Sequence, residues 1–446
     1  MGAEMMGRRD QGQGQLFYEF RLDEAVPDDH LVRKIGALLD LSWVYAEART
    51  LLLGDWPPLD RPCADDSDAD HRVRIRHPVG AADLPGGPGN LAYRWFCELG
   101  LEDAIPDHSA FSRARNERFR ESDIFRRVFE CVVASCIQAG LVGGEGFAVD
   151  ASLIEADANR QRSIPGAEWT KQIDPQAASR AVKEYLATLN DAAFGAATEV
   201  QPKFVSPSDP AAQWTGALKG PAFFAYADNY LIDVQYGVVV DVEASRAVRQ
   251  AEVGAARTMI ERTEERFGLK PQRLAADSAY GAAPMLNWLV EEKQIVPHVP
   301  VLDRSKREDG TFSREDFRYD ESTDTFTCPA GKRLTTTGRI NAGDAIFYRS
   351  SLVDCAKCEL KPRCCPKAPL RRVPRSIYEH ARDVARSYAG TDAFERSRHD
   401  RKRIEMRFAH LKRILRLGRL RLRGPRGAQD ESRWRRSPRI SDGWRS

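Results

Sequence analysis

The stretch NYLIDVQYGVVVDVEASRAVRQAEVGAARTMIERTEERFGLKPQRLAAD, residues 229–277, carries the clearest fold-class pattern in the sequence. It opens with two β-rich runs joined at Tyr236-Gly237, a pattern that predicts a β-hairpin. The next segment, from Arg249, has the apolar spacing of a helix, and QRLAAD is typical of another short strand. A hairpin, a crossover helix and a returning strand predict an α/β unit with a mixed sheet.

The flanking segments extend this unit in both directions. GEGFAVD, ending at Asp150, predicts a preceding strand, and IVPHVPVL predicts a following one. The first 140 residues carry capped, amphipathic helical patterns, and a helical pattern resumes near Thr391. We therefore expect an α+β or α/β protein. The predicted regions are a helical N-terminal domain at 16–140 with an aberrant, unstructured segment at 54–90, the first part of a mixed-sheet core at 141–302, an inserted Cys-rich subdomain at 303–390, a core helix at 391–427 and a basic disordered tail at 428–446.

Composition and charge narrow the function classes. The chain has 446 residues, 42% of them apolar, which suffices for a sizeable core and excludes a disordered protein. Residues 396–446 hold 18 Lys or Arg against 5 Asp or Glu, so positive charge is concentrated where it can meet a polyanion. The N-terminal residues lack the apolar region of a secretory signal, and no stretch elsewhere approaches the apolar length of a membrane span, so we expect a cytoplasmic protein.

Three acids are the candidates for chemistry. Asp150 and Asp277 each follow a short apolar strand, which places a carboxylate at the rim of a sheet. Glu405 is the single acid in RKRIEMRFAHLKRILRLGRLRLR, residues 401–423. Strand-end caps and helix-surface ion pairs are the alternative interpretations of these positions. A position at the end of a predicted strand does not by itself separate a functional acid from a structural one, since Asp233, Asp241 and Glu243 also stand near the ends of predicted strands.

The helix carrying Glu405 is more informative. At 100° per residue, Arg398, Arg401, Glu405 and Lys412 lie within about 60° of one another on the helix wheel. Ile404, Phe408, Leu411 and Leu415 form the adjacent apolar stripe, which is typical of a helix docked on a core. Glu405 is therefore expected at the edge of the buried stripe, flanked by cations that can contact phosphate.

These residues resemble a known family. Strand-Asp150, strand-Asp277 and helix-Glu405 resemble the Asp-Asp-Glu (DDE) transposases of bacterial insertion sequences, whose catalytic domain has a ribonuclease-H-like fold. Arg401, Glu405 and Lys412 match the last three positions of the family's Y-x2-R-x3-E-x6-K signature, whereas Arg398 stands at the tyrosine position. DSAYG at 277–281 is similar to the second-Asp motif, and NLAYRWFCELGLEDAIPDHSAFSRAR, from Asn90, to the N-terminal helical domain, which implies that residues 16–140 bind DNA.

The resemblance implies DNA strand cleavage and strand transfer by a dimer, acting on transposon ends and target DNA. It implies Mg²⁺ or Mn²⁺ held by Asp150, Asp277 and Glu405, with Arg401 and Lys412 on the substrate strand. Carboxylates suit such hard ions, and a two-ion site can serve an in-line displacement at phosphorus. A ribonuclease-H-like nuclease or resolvase shares this metal site and is an alternative. The resemblance also implies a bacterial, nucleoid-associated location.

Five cysteines crowd into residues 328–365. Cys355 and Cys358 form one C-x2-C pair, and Cys328, Cys364 and Cys365 are single. Thiolates at this spacing favour a structural zinc site formed by Cys328, Cys355, Cys358 and Cys364, with Cys365 competing for the fourth place. Reduced, metal-free thiols are the alternative.

Two segments depart from the family pattern. Residues 54–90 lack any apolar period, and DESRWRRSPRISDGWRS at the end is basic where an apolar closing helix is expected. The expected pattern is lost abruptly in both segments and resumes at Asn90. This suggests a pair of compensating frameshifts at 54–90 and a single frameshift near Asp430. A catalytically inactive, frameshift-damaged remnant that only binds DNA is therefore an alternative to an active transposase. A divergent loop and a natural tail are the alternative to frameshifts.

Overall fold

The computed structural model describes residues 20–38, 42–44, 47, 90–103, 119, 122–169, 178–188, 202–216, 221–303, 307–341, 343–414 and 418–434, without the side chains at 31, 38, 407–414 and 434. The chain divides into two compact units, residues 1–135 and 136–446. Most of the aberrant segment (54–89), the end of the tail (435–446) and the side chain of Lys412 lie outside the described residues. No helix in the described ranges is long and apolar enough to cross a membrane.

The described residues of the first unit are largely helical, as the sequence predicts. Its helices are α1 (Leu22–Ala25), α2 (Leu31–Leu38), α3 (Leu91–Phe96) and the first part of α4 (Ile124–Gln138). The Asn90 side chain caps α3 by accepting hydrogen bonds from the backbone N–H groups of Ala92 and Tyr93. Val26, Val32 and Ala92 form a small buried cluster that joins α3 to the chain around α1 and α2.

A six-stranded mixed sheet forms the core of the second unit. Its order is β4–β5–β1–β7–β8, with β6 paired to the other part of β5. Strands β4, β5, β6 and β1 pair antiparallel, whereas β7 and β8 continue the sheet parallel to β1. The elements in chain order are β1 (Gly146–Glu155), β2 (Ile164–Pro165), α5 (Gly166–Trp169), α6 (Arg180–Ala187), β3 (Phe204–Val205), β4 (Gln213–Thr215), β5 (Phe223–Asp233), β6 (Val239–Arg246), α7 (Arg249–Phe267), β7 (Arg273–Ala275), α8 (Ala283–Asn287) and β8 (Val296–His298).

The predicted hairpin and crossover helix are confirmed. Strands β5 and β6 are joined by a turn in which the Asp233 carboxylate accepts hydrogen bonds from the N–H groups of Gln235 (3.0 Å) and Tyr236 (2.9 Å). Gly237 closes this turn with φ of +77°, a conformation that favours glycine. Helix α7 then packs on β5 and β6 through a buried side that includes Ala251, Ala255 and Met259. The fold is therefore mixed α and β, as predicted.

The Cys-rich region is built from two small antiparallel sheets and two short helices. The sheet orders are β11–β10–β9 and β12–β13–β14. Its elements are β9 (Arg318–Asp320), β10 (Thr325–Thr327), β11 (Arg333–Leu334), β12 (Ile340–Asn341), β13 (Ala345–Arg349), α9 (Leu352–Ala356), α10 (Lys361–Cys364) and β14 (Arg372–Ser376). One buried cluster of aromatic, aliphatic and cysteine side chains holds these elements together.

Three helices end the described chain, and the last one corrects the predicted tail. They are α11 (Glu379–Tyr388), α12 (Asp392–Ile414) and α13 (Gly424–Trp434). The predicted disordered tail was placed from residue 428, but 428–434 are helical and Ala428, Glu431 and Ser432 are buried. Two of the buried polar side chains of α13 are satisfied by backbone groups. Gln429 bonds the N–H (3.1 Å) and carbonyl (3.0 Å) of Ala244 in β6, and Glu431 accepts from the N–H groups of Arg421 and Leu422.

Candidate active site

Asp150 lies within strand β1 rather than at its end, which corrects the predicted position. The strand continues through Glu155 because β5 supplies a partner for every residue from Phe147 to Glu155. Asp150 faces Tyr230 across this pairing. The alternative interpretation of Asp150 as a strand-end cap is therefore wrong, since the carboxylate projects from the middle of a paired strand.

Asp277 lies two residues beyond β7, as predicted for a carboxylate at the sheet rim. Its side chain accepts a hydrogen bond from the N–H of Ala279 at 2.7 Å and so begins the 3₁₀ turn Ser278–Tyr280. Strand β7 pairs parallel to β1, with Ala275 opposite Ala148. This register places the chain that follows β7 beside the segment of β1 that carries Asp150.

Glu405 lies on α12, which packs against β7 and β8. Neighbouring Ile404 is 3% exposed, whereas the Glu405 side chain is 37% exposed. Arg401 donates to Glu405 across one helical turn at 2.8 Å. The alternative interpretation of Glu405, a helix-surface ion pair, is therefore present in the structure. If Glu405 binds a metal ion, its carboxylate must either keep this pairing or release Arg401.

The electrostatics of Asp150 connect the three acids. Burial, then the charge of Glu405, raises the pKa of Asp150 to about 6, with a further contribution from Asp277, while Arg401 acts in the opposite direction. A strand on the sheet, a turn after β7 and a helix packed on β7 and β8 therefore bring Asp150, Asp277, Glu405 and Arg401 within electrostatic reach of one another. The sequence separates Asp150 from Glu405 by more than half of the chain.

A raised pKa alone does not mark a site. Burial also raises the pKa of Asp209 to about 6, but that carboxylate accepts a hydrogen bond from the Tyr226 hydroxyl at 2.6 Å. Asp209 and Tyr226 are both buried in the protein interior. What distinguishes Asp150 is the additional effect of two other carboxylates.

The remaining acids near strand ends have structural partners. Asp233 forms the hairpin turn, whereas Asp241 and Glu243 both accept hydrogen bonds from Arg262 of α7, at 2.8 and 2.7 Å. These structural contacts distinguish the three acids from Asp150 and Asp277, which strand position alone does not do.

Two residues near the candidate site were not identified from the sequence. Burial and then the charge of Asp277 raise the pKa of Glu252 on α7. Burial, Glu252, Asp150 and Asp277 raise the pKa of Tyr280, whose buried hydroxyl has no hydrogen-bond partner among the described residues. Tyr280 belongs to the quoted DSAYG motif, which is a signal that could have identified it. Nothing in the sequence pattern singles out Glu252.

The metal-ion prediction stays a prediction. Within the described ranges, no group of three or more His, Cys, Asp or Glu side chains is arranged closely enough to hold a metal ion. The donor set nevertheless has the oxygen chemistry that Mg²⁺ and Mn²⁺ prefer. Arg398, at the tyrosine position of the signature, pairs with Glu395 at 3.1 Å.

All five cysteines of the Cys-rich region line one cavity, together with Phe312, Ser350 and Arg371. Cys328 Sγ accepts a hydrogen bond from the N–H of Lys332 at 3.3 Å, and Ser350 Oγ lies 2.9 Å from Cys355 Sγ. Burial, reinforced by Cys365, raises the pKa of Cys364 to about 12, and burial also raises the pKa of Cys365. In the structure these groups are free thiols in an apolar setting.

Comparison with known proteins gives two matches. A family model described as a transposase DDE domain matches residues 327–432, and a model described as a transposase domain (DUF772) matches residues 89–117. The first match includes Glu405, the five clustered cysteines and most of α13, but neither Asp150 nor Asp277. No curated protein and no solved structure matches the chain.

Proposed function

We propose that the chain is an insertion-sequence transposase of the DDE type, which cleaves DNA at transposon ends and joins the freed ends to target DNA. The two matches to transposase domains support this proposal. The observation that carries this proposal is the shared electrostatic environment of Asp150, Asp277 and Glu405. Glu405 and Asp277, from distant parts of the chain, both act electrostatically on Asp150 in the central strand, and the mutual repulsion of the three carboxylates would be relieved by a bound cation.

The sheet topology supports a ribonuclease-H-like catalytic core. Strands β6, β5 and β1 form the antiparallel part of the sheet, and β7 and β8 extend it in parallel after the crossover helix α7. This order places Asp150 on the central strand and Asp277 just past the adjacent strand. Helix α12 then supplies Glu405 from outside the sheet.

Asp150, Asp277 and Glu405 would hold Mg²⁺ or Mn²⁺ through carboxylate oxygens. Such a cation supplies activation of the attacking oxygen and stabilisation of the leaving oxygen in phosphoryl transfer. The chain's own residues provide the rest. Glu252 adds negative charge beside Asp277, and Arg401 supplies a cation that is free to hold phosphate once its pairing with Glu405 is released.

DNA is the proposed partner, bound by Arg401 and Lys412 through backbone contacts that position the strand without reading its sequence. We expect a homodimer in the complex that brings two transposon ends together, working at the nucleoid in the bacterial cytoplasm. The cysteine cluster is proposed as a structural zinc site formed by Cys328, Cys355, Cys358 and Cys364, with Cys365 as the alternative fourth ligand. The support is that the five cysteines line one cavity, although among the described residues they are not arranged closely enough to hold a metal ion. A site with four sulfur ligands leaves no open position for catalysis.

The test is a strand-cleavage assay on the element's own terminal DNA with Mg²⁺. Glu405→Gln is compared with Glu395→Gln, which removes the same charge from a position ten residues earlier on α12. Loss of cleavage in Glu405→Gln alone supports the proposal, and equal cleavage by both variants contradicts the assigned role of Glu405.

Product analysis separates the alternatives. Joined donor and target strands indicate a transposase, whereas cleaved but unjoined strands indicate a ribonuclease-H-like nuclease or resolvase. DNA binding by the unmodified chain without any Mg²⁺-dependent cleavage indicates an inactive remnant.

A further inference from the structure

The Cys-rich region carries a strong excess of positive charge. Residues 328–376 contain 11 Lys or Arg against three acids, Asp344, Asp354 and Glu359. Most of these cations are exposed: Lys332, Arg333, Arg339, Arg349, Lys357, Arg363, Lys367 and Arg372. The excess lies well before the basic segment that begins at residue 396, so it is a separate feature of the molecule.

Two of the exposed arginines lie directly opposite each other. Arg349 in β13 and Arg372 in β14 are cross-strand partners, and Thr335 pairs with Arg349 on its other side. Side chains at such positions project to the same face of the sheet, with Cβ atoms about 5 Å apart. We name the surface formed by Arg333, Thr335, Arg349 and Arg372 the insertion face.

Like charges in this arrangement repel each other, and nothing on the described chain neutralises them. Arg333, Arg349 and Arg372 form no ion pair with any described carboxylate, although other arginines of the same unit do. Arg262 pairs with Asp241, and Arg314 pairs with Glu379. The insertion face therefore presents unneutralised positive charge to solvent.

The scaffold under the face is firmly packed. Tyr348 and Val373, the neighbours of the two arginines in β13 and β14, are 2% and 1% exposed and belong to the cluster that includes the cysteines. Buried Arg371 bonds the carbonyl oxygens of Cys364 (2.9 Å) and Phe312 (2.8 Å). The opposed arginines are thus held on a rigid support and cannot move apart without disrupting this core.

We propose that the insertion face binds the phosphate backbone of duplex DNA, as a contact surface additional to Arg401 and Lys412. The proposal rests on the proposed DNA transposase function and assigns part of its DNA binding to the Cys-rich region. Adjacent phosphates neutralise adjacent arginines, and Arg is suited to phosphate because its planar guanidinium donates two parallel hydrogen bonds. Contacts of this kind carry no base information, so the surface binds DNA irrespective of sequence.

The experiment measures DNA affinity as a function of salt concentration, with a fluorescent 40-base-pair duplex of arbitrary sequence in buffer without added Mg²⁺ or Mn²⁺. The double variant Arg349→Gln with Arg372→Gln removes the opposed pair. The control double variant Lys183→Gln with Lys270→Gln removes the same charge from two exposed lysines outside the Cys-rich region. A phosphate contact contributes about 0.9 to the slope of log affinity against log salt, so the first variant should lower the slope by about 2. The control should leave it unchanged.

An unchanged slope for Arg349→Gln with Arg372→Gln overturns the proposal, as does an equal fall in the control variant. Thermal unfolding of both variants checks that their folds are intact, and a single conservative Arg372→Lys variant should retain most of the slope. The assay needs neither metal nor catalysis. A chain that binds DNA through this face but never cleaves it would contradict the proposed catalytic function while leaving the insertion face supported.

Discussion

The environment of Asp150 leads to a measurable prediction for the metal-free protein. Its pKa is raised from an ordinary 3.8 to about 6. A gap of about 2 pH units corresponds to about 3 kcal/mol that disfavours the ionised carboxylate in the folded state. The substitution Asp150→Asn keeps the shape of the side chain and removes the charge. At pH 7, without added Mg²⁺ or Mn²⁺, it should therefore raise the free energy of unfolding by up to about 3 kcal/mol.

The direction of the pH dependence follows from proton binding. Between pH 4 and pH 6 the folded chain retains a proton on Asp150 that the unfolded chain has lost, so the unmodified protein loses stability as pH rises through this window. Asp150→Asn lacks this contribution. The two proteins should therefore converge in stability below pH 4 and differ most above pH 6.

Urea denaturation from pH 4 to pH 8 measures the effect. Glu405→Gln should show part of the same stabilisation, because Glu405 is the largest charged contributor to the pKa of Asp150. Glu359→Gln removes a carboxylate from an exposed position in the Cys-rich region and should show no effect. If Asp150→Asn is no more stable than the unmodified chain at pH 7, the account of crowded carboxylates is wrong.

Three further predictions concern the framework around the site. Gln429→Ala removes the hydrogen bonds between α13 and Ala244, and should lower the free energy of unfolding by about 2–4 kcal/mol in urea denaturation; an unchanged value would show that α13 does not dock. Arg262→Met leaves Asp241 and Glu243 without their shared cation, and should cost about 3–5 kcal/mol in the same measurement, whereas a neutral outcome would contradict this pairing. Purified protein should contain one zinc per chain by elemental analysis. Cys355→Ser should lose the zinc and Cys131→Ser should keep it, and a metal-free unmodified chain would refute the zinc proposal.

The sequence predicts the central elements well because their patterns are local. Alternating apolar residues and the Tyr236-Gly237 turn specify the β5–β6 hairpin, and the apolar spacing after Arg249 specifies α7. The end of β1 is different, since β1 continues past Asp150 only because β5 offers backbone partners there. Strand ends set by a distant partner are not encoded in the strand itself.

Helix α13 shows a second limit of reasoning from apolar patterns. Its sequence, GPRGAQDESRW, is polar, yet Gln429, Glu431 and Ser432 are buried. Gln429 and Glu431 are satisfied by backbone groups of β6 and of the chain preceding the helix. A polar segment can thus close a core when its side chains replace missing backbone partners. For this reason the predicted start of the tail at residue 428 was too early.

The candidate site was predicted in part. Asp150, Asp277 and Glu405 were named from their positions and from a family resemblance, and electrostatics couples them in the structure. Glu252 was missed because its proximity to Asp277 depends on how α7 packs across the sheet. The ion pair of Arg401 with Glu405 was predicted only as an alternative to a functional role for Glu405. Both can apply to one site, with the ion pair present before a cation binds and released afterwards.

The central claim is that Asp150, Asp277 and Glu405 together hold a divalent cation. The most direct test is titration of the metal-free protein with Mn²⁺, followed by electron paramagnetic resonance of the free ion. The unmodified chain should bind Mn²⁺ with an affinity that increases as pH rises through about 6, because protons compete for Asp150. Asp150→Asn, Asp277→Asn and Glu405→Gln should each lose most of this binding, whereas Glu359→Gln should retain it. Binding that is equal in all five proteins would contradict the account.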